Sequence, residues 1–447
     1  MNRWEKHPGK PYAVKVMDDP LDILQRFRDP GMRYGDIPGA DLLAQVRMLA
    51  VHDSYLADLH AHLEHDQMAK AVISGDPYYG NPPPSGTLPP LEQGRIPIAR
   101  LLTDDVLSIP IEHLVRNMLL CGPTGSGKTN YLRILLAAVM KSPSGLVVAF
   151  DRKGGELVNC ATLTTPGIPI WVLLFNELML AALQKPDQVA LDSFVNTFVQ
   201  LTATQLNLFA SRRLLGETLA LQYKRERPQG RWPRLSDWIA TIDNIHVNAL
   251  SRLGQYREAA LWSLKSIYRE LGQVIDYAAS NMLDELFKLR GCVVISTSGL
   301  SVEAESFLIS LIINHAYLSR QNQDPDSIEP LIFVLDDSLP LVRGDTAREV
   351  EGGINPISNW AFMGRSRKIS LVCAIQNFAL ISPALSNNSD TVLCFGSYGQ
   401  DAHSLARYMN LTPEQAAVLP VIRPGEVIAI ARSTWPVAIR GSVPEVP

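Results

Sequence analysis

The chain has 447 residues, 46% hydrophobic and 19% charged, which is enough to bury a large core and fits two or three folded units. Its formal net charge of -4 excludes a protein that is basic throughout, so any nucleic-acid surface must be local. The five cysteines form no C-x-x-C pair, which argues against a zinc site or a disulfide framework. With no apolar run of membrane-spanning length and no signal region, we expect a cytoplasmic protein without a transmembrane segment.

Four kinds of segment follow one another along the chain. Helical spacing of apolar residues predicts an N-terminal helical unit over 1–75, and proline and glycine in 76–94 predict a linker. Short apolar strands alternate with helices over 95–180 and 290–447, whereas 181–289 shows only helical patterns. We therefore predict an α/β fold with a largely parallel sheet and an all-α insertion. The candidate strands are Met118–Cys121, Leu146–Phe150, Ile170–Leu174, Cys292–Ser296, Leu331–Leu335, Leu371–Ile375, Thr391–Phe395 and Val427–Ile430.

The most specific motif is a phosphate-binding loop between a predicted strand and a predicted helix. It fits G-x-x-x-x-G-K-[ST] and consists of Gly122, Pro123, Thr124, Gly125, Ser126, Gly127, Lys128 and Thr129. Backbone N–H groups of such a loop, together with the N-terminus of the helix, attract a polyphosphate. We expect Lys128 to contact the β- and γ-phosphates of ATP and the Thr129 hydroxyl to ligate Mg²⁺.

Polar residues follow two later strands. Asp336 comes directly after an apolar run, at the strand end beside the loop, where it is expected to hold Mg²⁺ through water. Asp337 stands where many such ATPases carry a glutamate that polarises the attacking water, although aspartate is one methylene shorter. Gln376 follows another apolar strand and could sense the γ-phosphate or orient water. A polar residue at this place is as often only part of a turn.

The order of these motifs resembles the FtsK–HerA superfamily of ring ATPases, nearest to HerA-type translocases and the conjugative coupling proteins of type IV secretion. The residues that carry the resemblance are Gly122–Thr129, Phe150–Glu156, Val294–Leu300, Leu335–Asp337, Gly364–Ile369 and Ile375–Gln376. Phe150–Glu156 is similar to the family's strand-end Asp-x-Lys-Gly-Glu, with Gly155 inserted. Asp337 replaces the usual glutamate, and we expect no counterpart of the membrane anchor that many coupling proteins carry.

The resemblance implies a RecA-like core in a homo-oligomeric ring, commonly hexameric, with ATP and Mg²⁺ bound between neighbours. An arginine of one subunit would then complete the next subunit's site, and Arg365 and Arg367 are the candidates; the alternative is a pair of solvated basic residues. Lys153 and Glu156 could pair near the nucleotide or form an ordinary surface pair. The implied partners are DNA and secretion, relaxase or nuclease proteins, and such a protein could hold the ring at the inner membrane.

A basic segment suggests where DNA would bind. Residues 205–270 contain eleven lysines and arginines and six acidic residues, a net charge of +5. Aromatic residues interleave with them, namely Tyr223, Trp232, Trp238, Tyr256 and Trp262. This pattern predicts either a nucleic-acid surface or a helical core with a charged face. We expect a motor that moves DNA in conjugative transfer, DNA processing or phage defence. The alternatives are a motor for protein substrates and a nucleotide-gated assembly module with little turnover.

Overall fold

The computed structural model describes residues 77–78, 95–101, 106–140, 145–157, 170–187, 189–202, 209–277, 281–321, 323–324, 327–344 and 356–443. The predicted helical unit over 1–75 lies outside these residues, as does most of the predicted linker. Within the linker, Tyr78 is buried, and its hydroxyl donates to the backbone oxygen of Gln415 at 2.9 Å. This part of the chain therefore contacts the C-terminal region of the fold.

The strands described form a single sheet. They are β1 (Arg95–Arg100), β2 (Val106–Pro110), β3 (Met118–Cys121), β4 (Leu146–Asp151), β5 (Ile170–Leu174), β6 (Gly291–Ser296), β7 (Leu331–Leu335), β8 (Ile369–Ile375), β9 (Thr391–Cys394), β10 (Glu426–Ala431) and β11 (Trp435–Ser442). Their order is β2-β1-β11-β10-β9-β3-β8-β7-β4-β6-β5. Strands β3 to β9 pair with one another in parallel. Strands β1, β2, β10 and β11 pair antiparallel, and β10 joins them to β9. The predicted α/β fold with a parallel-rich sheet is confirmed.

Three antiparallel strands, β1, β2 and β11, were not predicted from the sequence. Pro97 lies within β1, where the pairing with β2 shifts register, and Pro436 lies within β11. Proline removes a donor from the ladder and is therefore typical of edges and bulges rather than of regular strands. The central strands lack this ambiguity because both of their faces are buried, as in β4, where successive residues contribute to the cores on opposite sides of the sheet.

The helices described cover the sheet or follow one another between β5 and β6. They are α1 (Lys128–Met140), α2 (Leu191–Thr202), α3 (Phe209–Glu226), α4 (Leu235–Asp243), α5 (Arg252–Ile275), α6 (Met282–Leu286), α7 (Val302–Ser319), α8 (Leu339–Val342), α9 (Pro356–Met363), α10 (Pro383–Asn387), α11 (Gly399–Tyr408) and α12 (Pro413–Ala416). Helices α2 to α6, which we call the helical block, share one apolar core with α7 and one face of the sheet. The ring of Phe198 in α2 lies 6.0 Å from both Trp238 in α4 and Phe307 in α7, centroid to centroid. The limits 181–289 of the predicted insertion stay a prediction.

The parallel strands end together at one edge of the sheet. Cys121 at the end of β3 pairs with Ile375 of β8, and Leu335 at the end of β7 pairs with both Cys373 of β8 and Phe150 of β4. Loops that leave these strand ends therefore meet at this edge, which is where ligands bind in open α/β sheets. No helix in the described part of the chain combines the length and apolar character needed to cross a membrane.

Candidate nucleotide-binding site

The glycine-rich loop joins the end of β3 to the start of α1. Its backbone is left-handed at Gly125, with φ of 79°, and at Gly127, with φ of 106°. A side chain would strain both positions, so glycine is what permits this turn. Helix α1 then begins at Lys128 and directs its unpaired N–H groups toward the loop. The phosphate-binding loop predicted from the sequence thus has the local structure that a bound polyphosphate requires.

Lys128 lies inside this loop. Its ammonium donates to the backbone oxygens of Gly122 at 2.6 Å and Pro123 at 2.8 Å, and the side chain is buried. Burial lowers the pKa of Lys128 because the charged form loses hydration, although the carboxylates of Asp336 and Asp337 act in the opposite direction. A polyphosphate in the loop would supply the negative charge that this buried ammonium needs.

Oxygen atoms from three elements converge beside the start of α1. The Thr129 hydroxyl lies 3.3 Å from a carboxylate oxygen of Asp336 and 3.3 Å from one of Glu156. Burial raises the pKa of Asp336, and the nearby charge of Lys153 opposes that rise. Hard oxygen donors of this kind suit Mg²⁺, which keeps several water ligands and takes others from substrate phosphates. The residues fit the predicted ion, and Glu156 joins Thr129 and Asp336 as a potential ligand.

Within the ranges that the structure describes, no group of three or more His, Cys, Asp or Glu side chains forms a site for a metal. A cation between Thr129 and Asp336 would therefore complete its shell with phosphate oxygens and water rather than with protein. This is the usual way in which nucleotide-dependent enzymes hold Mg²⁺.

Asp151 shapes the loop that carries Glu156. Its two carboxylate oxygens accept the backbone N–H groups of Gly154 and Leu157, each at 3.0 Å. The carbonyl of Glu156 accepts from the Arg133 guanidinium at 3.1 and 3.2 Å, which ties this loop to α1. Lys153 donates to both carboxylate oxygens of Glu156 at 3.3 Å. Lys153 and Glu156 thus pair beside Thr129, at the edge of the sheet where the parallel strands end.

Asp337 and Gln376 are brought together across neighbouring strands. The Gln376 amide donates to a carboxylate oxygen of Asp337 at 2.8 Å. Asp337 itself has a left-handed backbone, with φ of 50°, and its N–H donates to the Asp336 side chain at 2.9 Å. A non-glycine residue in this conformation is uncommon and is typical of sites where the surrounding structure fixes a side chain. Gln376 therefore orients the carboxylate of Asp337, the predicted water-polarising residue, while the Asp336 side chain holds the backbone of Asp337.

Arg365 and Arg367 do not reach the loop of their own chain. They lie in the turn Gly364–Arg367, just before the first residue of β8, whereas Gln376 follows its last residue. Seven residues of parallel strand at about 3.3 Å each separate the two ends by about 23 Å. Arg365 is exposed, and the backbone oxygen of Arg367 accepts from Arg320 at 3.2 Å. Any role of these arginines in a nucleotide site must be in a neighbouring subunit.

The aromatic residues of the basic segment are mostly part of the core. Tyr223 and Trp238 are buried, and Trp238 donates its indole N–H to Thr218 at 2.9 Å. Trp232 is half-buried beneath the guanidinium of Arg227, 3.8 Å from the ring centroid. Trp262 is the large exposed ring of the set, with 61% of its surface accessible. The core interpretation therefore holds for Tyr223 and Trp238, which cannot stack on nucleotide bases.

A glycine-rich loop between a parallel strand and a helix, with a lysine in the loop and carboxylates at the neighbouring strand end, defines the class of P-loop NTPases. Residues 96–316 match the sequence family described as the central domain of the helicase HerA. This match covers slightly less than half of the chain, and it confirms the resemblance to the FtsK–HerA superfamily of P-loop ATPases that was seen in the sequence. No curated protein sequence matches the chain.

Solved structures show the same fold. VirB4 of Thermoanaerobacter pseudethanolicus is 14% identical, with a TM-score of 0.59 over 81% of this chain and 99% of that chain. The plasmid coupling protein TrwB, in complex with the non-hydrolysable ATP analogue ADPNP, is 13% identical, with a TM-score of 0.59 over 82% and 96%. TrwB in complex with ADP and Mg²⁺ is 13% identical, with a TM-score of 0.57 over 81% and 90%. At these identities the similarity concerns the fold.

Proposed function

We propose that this protein is an ATPase motor that assembles as a homo-oligomeric ring of six subunits and moves DNA. The observation that carries the proposal is the convergence of Lys128, Thr129, Asp336 and Asp337 at one sheet edge within a HerA-family domain. TrwB structures hold ADP with Mg²⁺ and an ATP analogue on the same fold, which supports ATP and Mg²⁺ as the ligands here. Conjugative transfer, DNA processing and phage defence are the settings that this activity fits.

The residues of the site suggest how ATP is hydrolysed. Lys128 would exchange its contacts with the loop carbonyls for the β- and γ-phosphates, and Thr129 and Asp336 would hold Mg²⁺. The ion would neutralise charge on the phosphate oxygens. Asp337, oriented by Gln376, would polarise the attacking water. In this arrangement Glu156 lies on the metal side of the site, which makes it the weaker candidate for the base.

Substitution of the two aspartates separates these roles. We expect Asp337→Asn to bind ATP normally and to lower kcat by about 10²–10³, because the amide cannot accept a proton from water. We expect Asp336→Asn to raise the Mg²⁺ concentration for half-maximal activity by about tenfold or more, because an amide oxygen is a weaker ligand. Steady-state hydrolysis with Mg²⁺ titration measures both effects. Asp192→Asn, on an exposed face of α2, is the control, and normal turnover in Asp337→Asn would move the base elsewhere.

DNA is proposed to bind through phosphate contacts. Exposed arginines and lysines of the helical block can meet a phosphate backbone, whereas the buried aromatic rings cannot contribute stacking. They include Lys224, Arg225, Arg252 and Arg269, and Arg227 and Arg234 in the connection between α3 and α4 are exposed as well. The secretion, relaxase or nuclease proteins implied by the resemblance are proposed as further partners, and one of them could hold the ring at the inner membrane.

The limits of the units, with the ATPase core at 95–180 and 290–447, belong to the same proposal.

Steady-state ATPase activity with and without DNA tests this function. We expect DNA to stimulate hydrolysis severalfold and the stimulation to weaken as salt rises, because binding through phosphates releases counterions. Heparin at matched charge is the control for a non-specific polyanion effect. If an unfolded protein stimulates hydrolysis and DNA does not, a motor for protein substrates would be favoured. Tight ATP binding with little turnover in any condition would favour a nucleotide-gated assembly module, which the short side chain of Asp337 would then explain.

A further inference from the structure

An ion pair between a buried carboxylate and a half-buried arginine lies beside the candidate site and has no part in the roles assigned so far. Glu305, in the first turn of α7, is 5% exposed. It accepts a hydrogen bond from the Thr297 hydroxyl at 2.6 Å and pairs with the Arg152 guanidinium at 3.1 Å. Burial raises the pKa of Glu305, while Thr297 and Arg152 counteract the rise. A buried carboxylate is tolerated only with such partners, so the stability of the charged Glu305 side chain depends directly on Arg152.

The pair lines the same cavity as Asp336, the predicted Mg²⁺ ligand, and Asp337, the predicted water-polarising residue. Arg152 follows β4, Thr297 follows β6 and Asp337 follows β7, and these three strands are neighbours in the sheet. Arg152, Glu305, Asp336 and Asp337 all face one small cavity at the strand ends. The guanidinium therefore lines one cavity together with two sets of acceptors, its ion-pair partner Glu305 and the aspartates Asp336 and Asp337.

The start of α7 is also attached to the helical block. Ser301 caps α7 by accepting the N–H of Ala304 at 3.2 Å. The backbone N–H and the hydroxyl of Ser301 donate to the Glu270 carboxylate of α5 at 2.9 and 2.8 Å. Within five residues, this segment thus contacts Arg152 and Thr297 at the strand ends through Glu305, and the helical block through Ser301.

We propose that Arg152 and Glu305 are positioning residues of the nucleotide site and that they couple it, through the first turn of α7, to helix α5. The inference rests on the proposed function. A γ-phosphate beside Asp337 adds negative charge to a cavity already lined by three carboxylates, and Arg152 turns toward it. Glu305 then loses its cation in a buried place, which forces the first turn of α7 to shift. Ser301 carries that shift to Glu270, so α5 senses whether ATP or ADP is bound.

Four variants separate the steps of this path. Glu305→Gln keeps a hydrogen bond with Thr297 but removes the charge that holds Arg152. Arg152→Gln removes the cation and Arg152→Lys restores it. Glu270→Ala removes the acceptor on α5 and leaves the Ser301 cap of α7 in place. Glu258→Ala, an exposed glutamate on the same helix, is the matched control.

Two measurements decide the matter on the full chain. In steady-state kinetics, we expect Glu305→Gln and Arg152→Gln to lower kcat by about 10-fold to 100-fold with KM for ATP changed less than about twofold, and Arg152→Lys to recover part of the loss. In hydrogen exchange, we expect α5 of the wild type to differ between the ADP and ADPNP states. Glu305→Gln and Glu270→Ala should lose this difference, Glu270→Ala with kcat intact, whereas Glu258→Ala should keep it.

Two outcomes would overturn the proposed coupling. An exchange difference in α5 that persists in Glu305→Gln and Glu270→Ala shows that the path is not used. Equal exchange of wild-type α5 in the two states shows that no coupling reaches this helix. Wild-type protein that binds nucleotide without hydrolysing it would defeat the proposed function, yet the exchange comparison needs only bound ADP and ADPNP and still decides the coupling.

Discussion

Lys128→Ala is expected to abolish tight ATP binding. In the structure the Lys128 ammonium is buried and held by the carbonyls of Gly122 and Pro123, at the place where phosphates would lie. A charge-assisted hydrogen bond contributes about 1.5–3 kcal/mol, and Lys128 would contact two phosphate groups, so about 3–6 kcal/mol of binding free energy is lost. Each 1.4 kcal/mol is tenfold in Kd, which gives a loss of about 10²–10⁴ in affinity. Isothermal titration calorimetry measures it directly.

Two controls make that result specific. Lys224→Ala removes an exposed lysine of α3 and should leave ATP affinity unchanged. Thermal unfolding of Lys128→Ala should show an intact fold, since the alanine removes a buried charge and leaves only two loop carbonyls without this donor. Wild-type affinity in Lys128→Ala would show that the glycine-rich loop is not the nucleotide site.

The residues that the sequence predicted best are those whose neighbours along the chain fix their geometry. The loop Gly122–Thr129 is local, because its glycines and the helix that follows determine its shape. Asp336 and Gln376 followed from a rule on the sheet, since parallel strands end at one edge and residues after two neighbouring strands must meet there. The structure brings these residues together as that rule requires, although their chemical roles stay predictions.

Other features depend on contacts that no local pattern contains. Glu156 reaches Thr129 only because Asp151 folds the intervening loop. Glu305 and Arg152 are 153 positions apart in sequence and form an ion pair through the order of strands in the sheet. The aromatic rings of the basic segment illustrate the same limit, because spacing alone does not say which side of a helix faces the core, and Trp238 proved to be buried.

The arginines before β8 lead to the second large expected effect. A P-loop site that is open to solvent turns over slowly, because nothing neutralises the charge that develops on the γ-phosphoryl group. Arg365 and Arg367 lie at the far edge of the sheet from their own loop, so only a neighbouring subunit's site is within their reach. If they act there, the Arg365→Ala/Arg367→Ala double variant should lower kcat by about 10³–10⁵ without changing ATP affinity. Single-turnover and steady-state hydrolysis measure this loss.

Mixing experiments distinguish action between subunits from an ordinary structural loss. Neither Lys128→Ala nor the Arg365→Ala/Arg367→Ala variant should hydrolyse ATP alone, but their mixture should recover activity at interfaces that pair an intact loop with intact arginines. Wild-type activity should also rise steeply with protein concentration as rings assemble, with the rise matched by sedimentation velocity. Solvated surface arginines predict instead a double variant with nearly wild-type turnover. Hydrolysis by a monomer that does not depend on concentration would contradict both the ring and the arginine role, because an isolated chain holds its arginines about 23 Å along the sheet from its own loop.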